Sequence, residues 1–315
     1  MVDSLTRQSD AGTYGVRAPQ MSDAGTYIGD PVVDYVRAPQ LVQTMIEAGA
    51  SKKDLPAGQI FVRGMFGGAL LAYATGIAFF AAAQGVPPVI AGLLFPVGFI
   101  IINLIGFDLI TGYFALVPLA VIHRRMTFGQ LVRTWFWVWL GCLAGSLVYD
   151  AMLWTSFTLT GATGDTTGTL SAYIIKVATA KTLKYEEFGM AGAFAALVKG
   201  MLCNWMVTMG VVLPYAARSA IGKVFATFVP IYMFFAMGYE HMVVNQFIIP
   251  TAMMFGAPIS EYDFWVGNQV PVTIGNFLGG FLFTGAALGW LFYTRKPVEE
   301  SVPLTRPARA FVAGE

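Results

Sequence analysis

The sequence has few charged residues. Only 12% of its 315 residues are Asp, Glu, Lys or Arg, whereas soluble domains carry roughly 25%. This deficit, together with 56% hydrophobic residues and a mean hydropathy of +0.64, excludes an ordinary soluble domain and indicates a chain that lies in a bilayer. The net charge is only +1, so no overall field is available to attract nucleic acid.

Cysteine and histidine are also scarce, with two of each. Cys142 and Cys203 both lie in apolar runs, so we expect buried thiols and no disulfide framework. Two histidines do not provide the sets of paired haem ligands that a membrane haem enzyme uses. Neither an HExxH nor a GxSxG motif occurs. A membrane enzyme using Asp108, Glu240 and His241 is therefore disfavoured, and no cofactor is expected.

Long apolar runs divide residues 41–295 into membrane crossings. A helix needs about 20 residues to cross about 30 Å of hydrocarbon. Six runs meet this length, at about 60–83, 89–122, 129–157, 188–215, 222–256 and 268–293. The sequence therefore predicts an all-α membrane domain of six transmembrane helices, with polar tails at 1–40 and 296–315. We expect no cleavable signal peptide, because residues 1–58 are polar and interrupted by Gly and Pro.

The N-terminal tail contains a duplication. The SDAGTY of residues 9–14 returns at 22–27, and the VRAPQ of 16–20 returns at 36–40. We expect this tail to be disordered and assign it no function. Apolar groups at near-helical spacing over 41–51 then predict a short interfacial helix.

Basic residues in the loops predict the orientation. With six crossings, the Lys and Arg residues at 52–63, 124–125, 218–223 and 295–296 fall on one side of the membrane. The positive-inside rule makes that side cytoplasmic. The sequence thus predicts a multi-pass protein of the plasma or inner membrane with both termini in the cytoplasm.

Polar interruptions break the second and fifth runs at matching places. One reads GFDL at 106–109 and the other GYEH at 238–241, so each is a glycine, an aromatic residue, a carboxylate and a fourth residue. Because each half has three crossings, the halves run in opposite directions, and the sequence predicts an inverted 3+3 repeat whose second and fifth helices are broken. Irregular backbone at that depth is tolerated only where protein buries it or a cavity adjoins it.

Four segments make the chain resemble the formate/nitrite transporter family. They are GFDLITG at 106–112, KGMLCNW at 199–205, GYEH at 238–241 with Asn245, and PVTIGN at 271–276, and the similarity covers about 40–295. The resemblance implies an aquaporin-like protomer, assembled as a homopentamer in the lipid bilayer, with one pore in each protomer. It also implies transport of formate, nitrite or another small monovalent anion; some members carry lactate, hydrosulfide or bicarbonate.

The resemblance also assigns pore residues. It places the pore histidine at His241, the threonine of the first broken helix at Thr111 and the apolar residue of its loop at Leu109. The pore amides fall on Asn204 and Asn276.

Aromatic constrictions fall on Phe95 and Phe99 toward one end of the pore and on Phe234 toward the other. Phe95 and Phe99 are four residues apart and share a helix face, and Phe234 and His241 are seven apart. This spacing fits two aromatic gates around one polar centre.

His241 suits the transport of a small anion. Burial in an apolar pore favours the neutral imidazole, which can still donate one hydrogen bond or exchange a proton with the anion. Thr111 can donate from the opposite loop, and the N-terminal ends of the broken helices favour negative charge at the same point. Transport is therefore expected to be proton-linked.

Charged residues near the breaks have supporting roles in this interpretation. Asp108 and Glu240 are expected to stabilise the loops together with Asn245, by accepting N–H bonds or pairing with a lysine. Lys181 and Lys184 are expected to gather anions at the outer vestibule.

Several residues near the pore depart from the family pattern. They are Asn103, Phe107, Tyr113, Gln246 and Gln269. The identity of the anion and the choice between passive channel and proton symport therefore stay open. A neutral-solute channel of the aquaporin kind is the alternative, and it predicts flux that is indifferent to pH and to competing anions.

Overall fold

The computed structural model describes residues 35–294, together with 20–21 and 27–28. The chain divides into two units, Met1–Tyr35 and Val36–Glu315. In the first unit, strand β1 (Gln20–Met21) pairs antiparallel with β2 (Tyr27–Ile28), and Gln20 lies opposite Ile28. Most of the predicted tail at 1–40 and all of that at 296–315 lie outside the described residues.

The second unit is helical throughout its described part. In chain order its α-helices are α1 (Ala38–Ala50), α2 (Ala57–Ala83), α3 (Pro88–Ala91), α4 (Pro96–Ile105), α5 (Ile110–Ile122), α6 (Phe128–Thr158), α7 (Leu170–Lys181), α8 (Leu183–Glu186), α9 (Gly189–Ala216), α10 (Ala220–Ala236), α11 (Met242–Met254), α12 (Val270–Gly280) and α13 (Ala287–Phe292). Tighter 3-10 turns follow α1 and α3, at Ser51–Asp54 and Gly92–Leu94. Wider π turns at Asp263–Gln269 and Phe281–Ala286 join α12 and α13 into one continuous helix.

Five helical stretches of the described residues are long and apolar enough to cross a membrane. They are Ala57–Ala83, Pro88–Ile105, Phe128–Thr158, Gly189–Ala216 and Asp263–Phe292. The helices α5, α10 and α11 are apolar but shorter, at 13, 17 and 13 residues. Large apolar side chains such as Phe128 and Trp290 are exposed on the outside, as expected for a surface that meets lipid or another protein.

Glycine stripes bring two helix pairs into close contact. A side chain at Gly68 on α2 would collide with the backbone of Cys142 on α6. A side chain at Gly275 on α12 would collide with the carbonyl of Leu197 on α9. The pairs α2–α6 and α9–α12 are therefore tightly packed, which small residues permit.

Helix α1 lies against the domain by its apolar face. Val42, Met45 and Ile46 are buried against Leu116 of α5 and Val212 of α9. The predicted helix at 41–51 therefore corresponds to a helix with one buried stripe, which packing rather than intrinsic propensity stabilises.

Candidate functional site

Two short irregular loops interrupt the helices at the centre of the domain. One joins α4 to α5 and begins at Gly106, and the other joins α10 to α11 and includes Gly238. Both glycines are left-handed, with φ of +88° and +64°, a conformation that costs other residues energy. Leu109 and His241 follow in extended conformation and occupy the N-cap positions of α5 and α11.

His241 is fully buried and has one free ring nitrogen. Its Nδ1 accepts the backbone N–H of Val244 at 3.2 Å and so caps α11. A nitrogen that accepts cannot carry the proton, so the neutral ring has its hydrogen on Nε2. Within the described part of the chain, Nε2 has no hydrogen-bond partner. The site therefore holds an unused N–H donor.

Aromatic rings pack on His241. The Phe234 ring is nearly parallel to the imidazole, with centroids 5.6 Å apart, and the Phe99 ring is perpendicular to it, with centroids 6.4 Å apart. All three side chains are buried. A donor surrounded by rings and excluded from water makes stronger electrostatic interactions than one in solvent.

The ring of Phe95 lies beside those of Phe234 and Phe235. Its centroid is 5.6 Å from that of Phe234 and 3.9 Å from that of Phe235, on which it stacks. Residues four apart share a face but lie about 6 Å apart along the helix axis. Phe95 and Phe99 therefore lie at different heights along the helix axis, where Phe95 contacts Phe234 and Phe235 and Phe99 contacts His241.

Two cavities approach this centre. The Lys52 cavity has a volume of about 150 Å³ and is lined by Lys52, Phe99 and Leu109 among others. The Lys181 cavity has a volume of about 280 Å³, and its lining includes Lys181 and Phe234. Phe99 and Phe234 both contact His241, so the imidazole lies between the walls of the two cavities.

Thr111, near the start of α5, supplies a second possible hydrogen-bond donor besides Nε2 of His241. Its side chain is fully buried, and its Oγ1 has no hydrogen-bond partner among the described residues. Leu109, two residues earlier, is 5% exposed. The two helix starts thus differ. Helix α5 has the apolar N-cap Leu109 followed by the hydroxyl of Thr111, whereas the N-cap of α11 is the imidazole of His241.

Two buried amides hold these helix starts in place. Asn276 accepts the N–H of Met242 at 2.9 Å and donates to the carbonyls of Glu240 and Gly200 at 2.8 and 2.9 Å. Asn204 donates to the carbonyls of Thr111 and Asn276 at 3.1 and 2.7 Å. Backbone groups that a regular helix would pair are here satisfied by side chains, as buried polar groups require.

Asp108 is paired with two cations. Its carboxylate lies 2.7 Å from Lys52 Nζ and 2.6 Å from Arg63 Nε. Arg63 also donates to the carbonyl of Gly106. The first loop is therefore fastened to α2 and to the turn that precedes it by a buried ion pair.

Glu240 has a comparable set of partners. Lys181 lies 3.0 Å from its carboxylate, and Tyr185 and Asn245 each donate to it at 2.8 Å. Lys199 donates in turn to the hydroxyl of Tyr185 at 3.1 Å. Sequence reasoning did not identify Tyr185, because a tyrosine in a polar segment between spans carries no distinguishing signal.

The two lysines predicted for the vestibule are placed differently. Lys181 adjoins the larger cavity, but its side chain is only 11% exposed and its charge is paired with Glu240. Lys184 is exposed and pairs with Glu187 at 2.9 Å. Neither ammonium is a free charge at the cavity wall; spacing in the sequence could not reveal these partners.

The positions that depart from the family pattern also have defined contacts. Phe107 stacks on Phe66 with centroids 5.1 Å apart, and Lys52 lies over the ring of Tyr113. Gln269 donates to the carbonyl of Met242 at 3.2 Å. The amide of Gln246 is buried and has no partner within the described residues.

The family model described as "Formate/nitrite transporter" matches residues 39–290. A probable formate transporter of Methanothermobacter thermautotrophicus is 30% identical over 261 residues, which cover 78% of this chain and 92% of that protein. The formate channel FocA of Escherichia coli K12 is 30% identical over 230 residues, covering 67% of this chain and 76% of FocA.

Two solved structures share the fold at 24% sequence identity. An FNT family ion channel superposes with a TM-score of 0.68 over 80% of this chain and 98% of that one. A pentameric formate channel with formate bound superposes with a TM-score of 0.58 over 75% of this chain and 96% of that one. The all-helical membrane fold is therefore shared with these channels.

Proposed function

Because this chain belongs to the formate/nitrite transporter family, we propose that it carries formate, nitrite or a similar small monovalent anion across the membrane. In this proposal the anion passes His241, and its transport is coupled to protons. The observation that carries the proposal is the free Nε2 donor of a buried imidazole that contacts Phe99 and Phe234.

Desolvation is the main barrier to an anion at this point. Moving a bare ion from water into a low-dielectric interior costs tens of kcal/mol in the idealised limit. Nε2 of His241 and Oγ1 of Thr111 have no hydrogen-bond partner among the described residues, and the N-terminal ends of α5 and α11 add positive potential. These fixed dipoles would replace the hydration of the anion.

His241 can also supply a proton. The neutral ring cannot give up its one N–H hydrogen, because an imidazolate would remain. The imidazole would first take a second proton at Nδ1 from water on the entry side, which breaks the capping bond from Val244. Nε2 would then transfer its hydrogen to the anion, and a neutral imidazole would remain. Formic acid formed in this way would pass the aromatic ring beyond the imidazole as a neutral molecule and release its proton to water on the far side. A proton would thus move with each anion.

In the proposal, the first residues of α5 and α11 must keep fixed positions relative to each other. Asn276 bridges the loop at Glu240, the start of α11 and α9, and Asn204 connects α5 to α12. These residues act as positioning residues in the proposal, since their amide groups are already occupied by backbone partners. The ion pairs of Asp108 and Glu240 have the same role.

We further propose that the domain is an inverted repeat of six crossings. In the first half these are α2, the broken pair α4–α5, and α6; in the second half they are α9, the broken pair α10–α11, and the helix ending in α13. The left-handed glycines, the matching N-caps and the buried carboxylate in each loop support this assignment. Assembly as a homopentamer is proposed by analogy with the pentameric formate channel that shares the fold.

The test is formate and nitrite uptake into liposomes under an imposed pH gradient. Replacing His241 with Phe removes the donor and the transferable proton while preserving an aromatic ring. A hydrogen bond to a charged group is worth about 1.5–3 kcal/mol, so uptake is expected to fall by roughly tenfold or more.

The matched control is His123→Phe, because His123 is the only other histidine and lies at the end of α5, in contact with Tyr293. It should transport like the wild type. Unchanged uptake in His241→Phe would remove the proposed role of His241. Flux that ignores both pH and competing anions would instead indicate a neutral-solute channel.

A further inference from the structure

Among the described residues of the helical unit, three acidic side chains are buried, and they have different surroundings. Asp108 and Glu240 are 5% and 1% exposed, and each has a Lys or Arg within 3.0 Å. Asp150, in the second half of α6, is fully buried. Within the described part of the chain, neither of its carboxylate oxygens has a hydrogen-bond partner, and it has no ion pair.

Two hydroxyl groups lie near Asp150, one on α11 and one on α6. The hydroxyl of Thr251 on α11 interacts with the carboxyl but lies outside hydrogen-bond geometry. The α6–α11 contact beside it is apolar, since the ring of Tyr149 packs on that of Phe247 with centroids 5.6 Å apart. Ser146, one turn earlier on α6, is buried and also lacks a partner among the described residues.

No described cation faces Asp150 from the packed helices. Helix α11 carries no charged residue, and its one titratable neighbour is His241 at its N-cap. Helix α2 contributes the phenol of Tyr73, and Arg63 of that helix is paired with Asp108. Helix α6 itself contributes the phenol of Tyr149, whereas Tyr113 of α5 lies beside Lys52.

An ionised carboxylate in this position would cost several kcal/mol that nothing repays. The group must therefore hold a cation. A hard metal ion takes about six oxygen ligands or more, whereas the described residues here offer two carboxylate oxygens and the hydroxyls of Thr251 and Ser146. A proton needs only one acceptor, and the resulting O–H can donate to Thr251.

We propose that Asp150 is a proton-binding site in the wall of the domain, separate from His241, with Thr251 as the acceptor of the bound proton's hydrogen bond. The proton comes from water and adds to one carboxylate oxygen, giving a neutral carboxylic acid. Thr251 lies on the stripe of α11 that begins with Val244 and Ile248, which line the Lys181 cavity. Release of the proton would therefore place a negative charge behind the wall of that cavity.

Infrared spectroscopy tests the site directly and does not depend on which anion is carried. The wild type at neutral pH should show the carbonyl stretch of a protonated carboxylic acid, and Asp150→Asn should lose it. Asp165→Asn is the matched control, because Asp165 lies in the loop before α7 and accepts bonds from Thr167 and Ser171. The band should be unchanged in that variant.

Two outcomes would overturn the proposal. One is a band of full intensity in Asp150→Asn. The other is a wild-type band that appears only when sodium is replaced by a large organic cation, which would make the ligand a metal ion. Thr251→Val provides a second variant, in which the band should shift because the carboxylic acid loses its acceptor; an unshifted band would contradict the assigned partner.

Thermal unfolding at several pH values provides an independent measurement. An amide at position 150 needs no proton. The midpoint of Asp150→Asn should therefore rise relative to the wild type as the pH increases above about 4, where Asp in the unfolded chain gives up its proton and the buried carboxylic acid keeps it. A difference between the two midpoints that stays constant with pH would contradict a titrating group at this position.

Discussion

At the scale of single residues, Asn103 shows how a polar side chain compensates for a proline. Pro214 has no N–H, so the carbonyl of Gly210, one turn earlier in α9, lacks its usual donor. Asn103 of α4 donates to this carbonyl and to the hydroxyl of Thr227, both at 3.0 Å. An amide that departs from the family pattern thus has a structural reason.

Replacing Asn103 with Leu should lower the free energy of unfolding by about 1–3 kcal/mol, the cost of leaving a buried acceptor unpaired. The double variant Asn103→Leu with Pro214→Ala should recover part of this loss, because alanine restores a backbone donor. Denaturant unfolding in detergent measures both, with Gln84→Leu at an exposed turn as control. Equal losses in the single and double variants would argue against this pairing.

At the scale of helices, close packing rather than hydrophobicity defines the pairs α2–α6 and α9–α12. Gly275→Ala would place a methyl group against the carbonyl of Leu197, and backbone cannot move aside as a flexible side chain can. We expect a loss of stability of about 1–3 kcal/mol, as for overpacked cores.

Gly129→Ala is the matched control for this prediction. Gly129 lies in the first turn of α6, and a methyl group there would meet nothing within 4 Å. Because alanine is a better helix former than glycine by up to about 1 kcal/mol, this variant should be neutral or more stable in thermal unfolding. Similar losses at both positions would show that Gly275 is not a packing contact.

At the scale of the whole molecule, the proposed topology places the loops at 123–127 and 159–169 on opposite sides. Single cysteines at Thr127 and Thr163, both exposed, report this directly. The native Cys142 and Cys203 are fully buried, so background labelling should be low. A membrane-impermeant maleimide added to intact cells should label Thr163→Cys and spare Thr127→Cys; the reverse pattern would invert the orientation.

Sequence patterns and tertiary contacts account for different parts of the site. The segments GFDL and GYEH were distinctive in the sequence, because glycine followed closely by a carboxylate is unusual inside an apolar run, and they lie in the loops between α4 and α5 and between α10 and α11. The partners of their carboxylates were not predictable, since helices α2 to α4 separate Lys52 from Asp108 and helices α8 to α10 separate Lys181 from Glu240. Likewise, the structure shows that the ring of Phe95 packs against that of Phe234. Helical spacing indicated only that Phe95 and Phe99 share a helix face.

Length and hydropathy alone were enough to predict a helical membrane protein with several apolar helices long enough to cross the bilayer. They suffice because hydrocarbon forces every backbone group into an internal hydrogen bond. The folded structure was needed to establish which carboxylates are paired, which nitrogen of His241 is free, and that Asp150 is buried with no counterion among the described residues. These properties depend on distances of a few ångströms between helices far apart in sequence, and no local pattern encodes them.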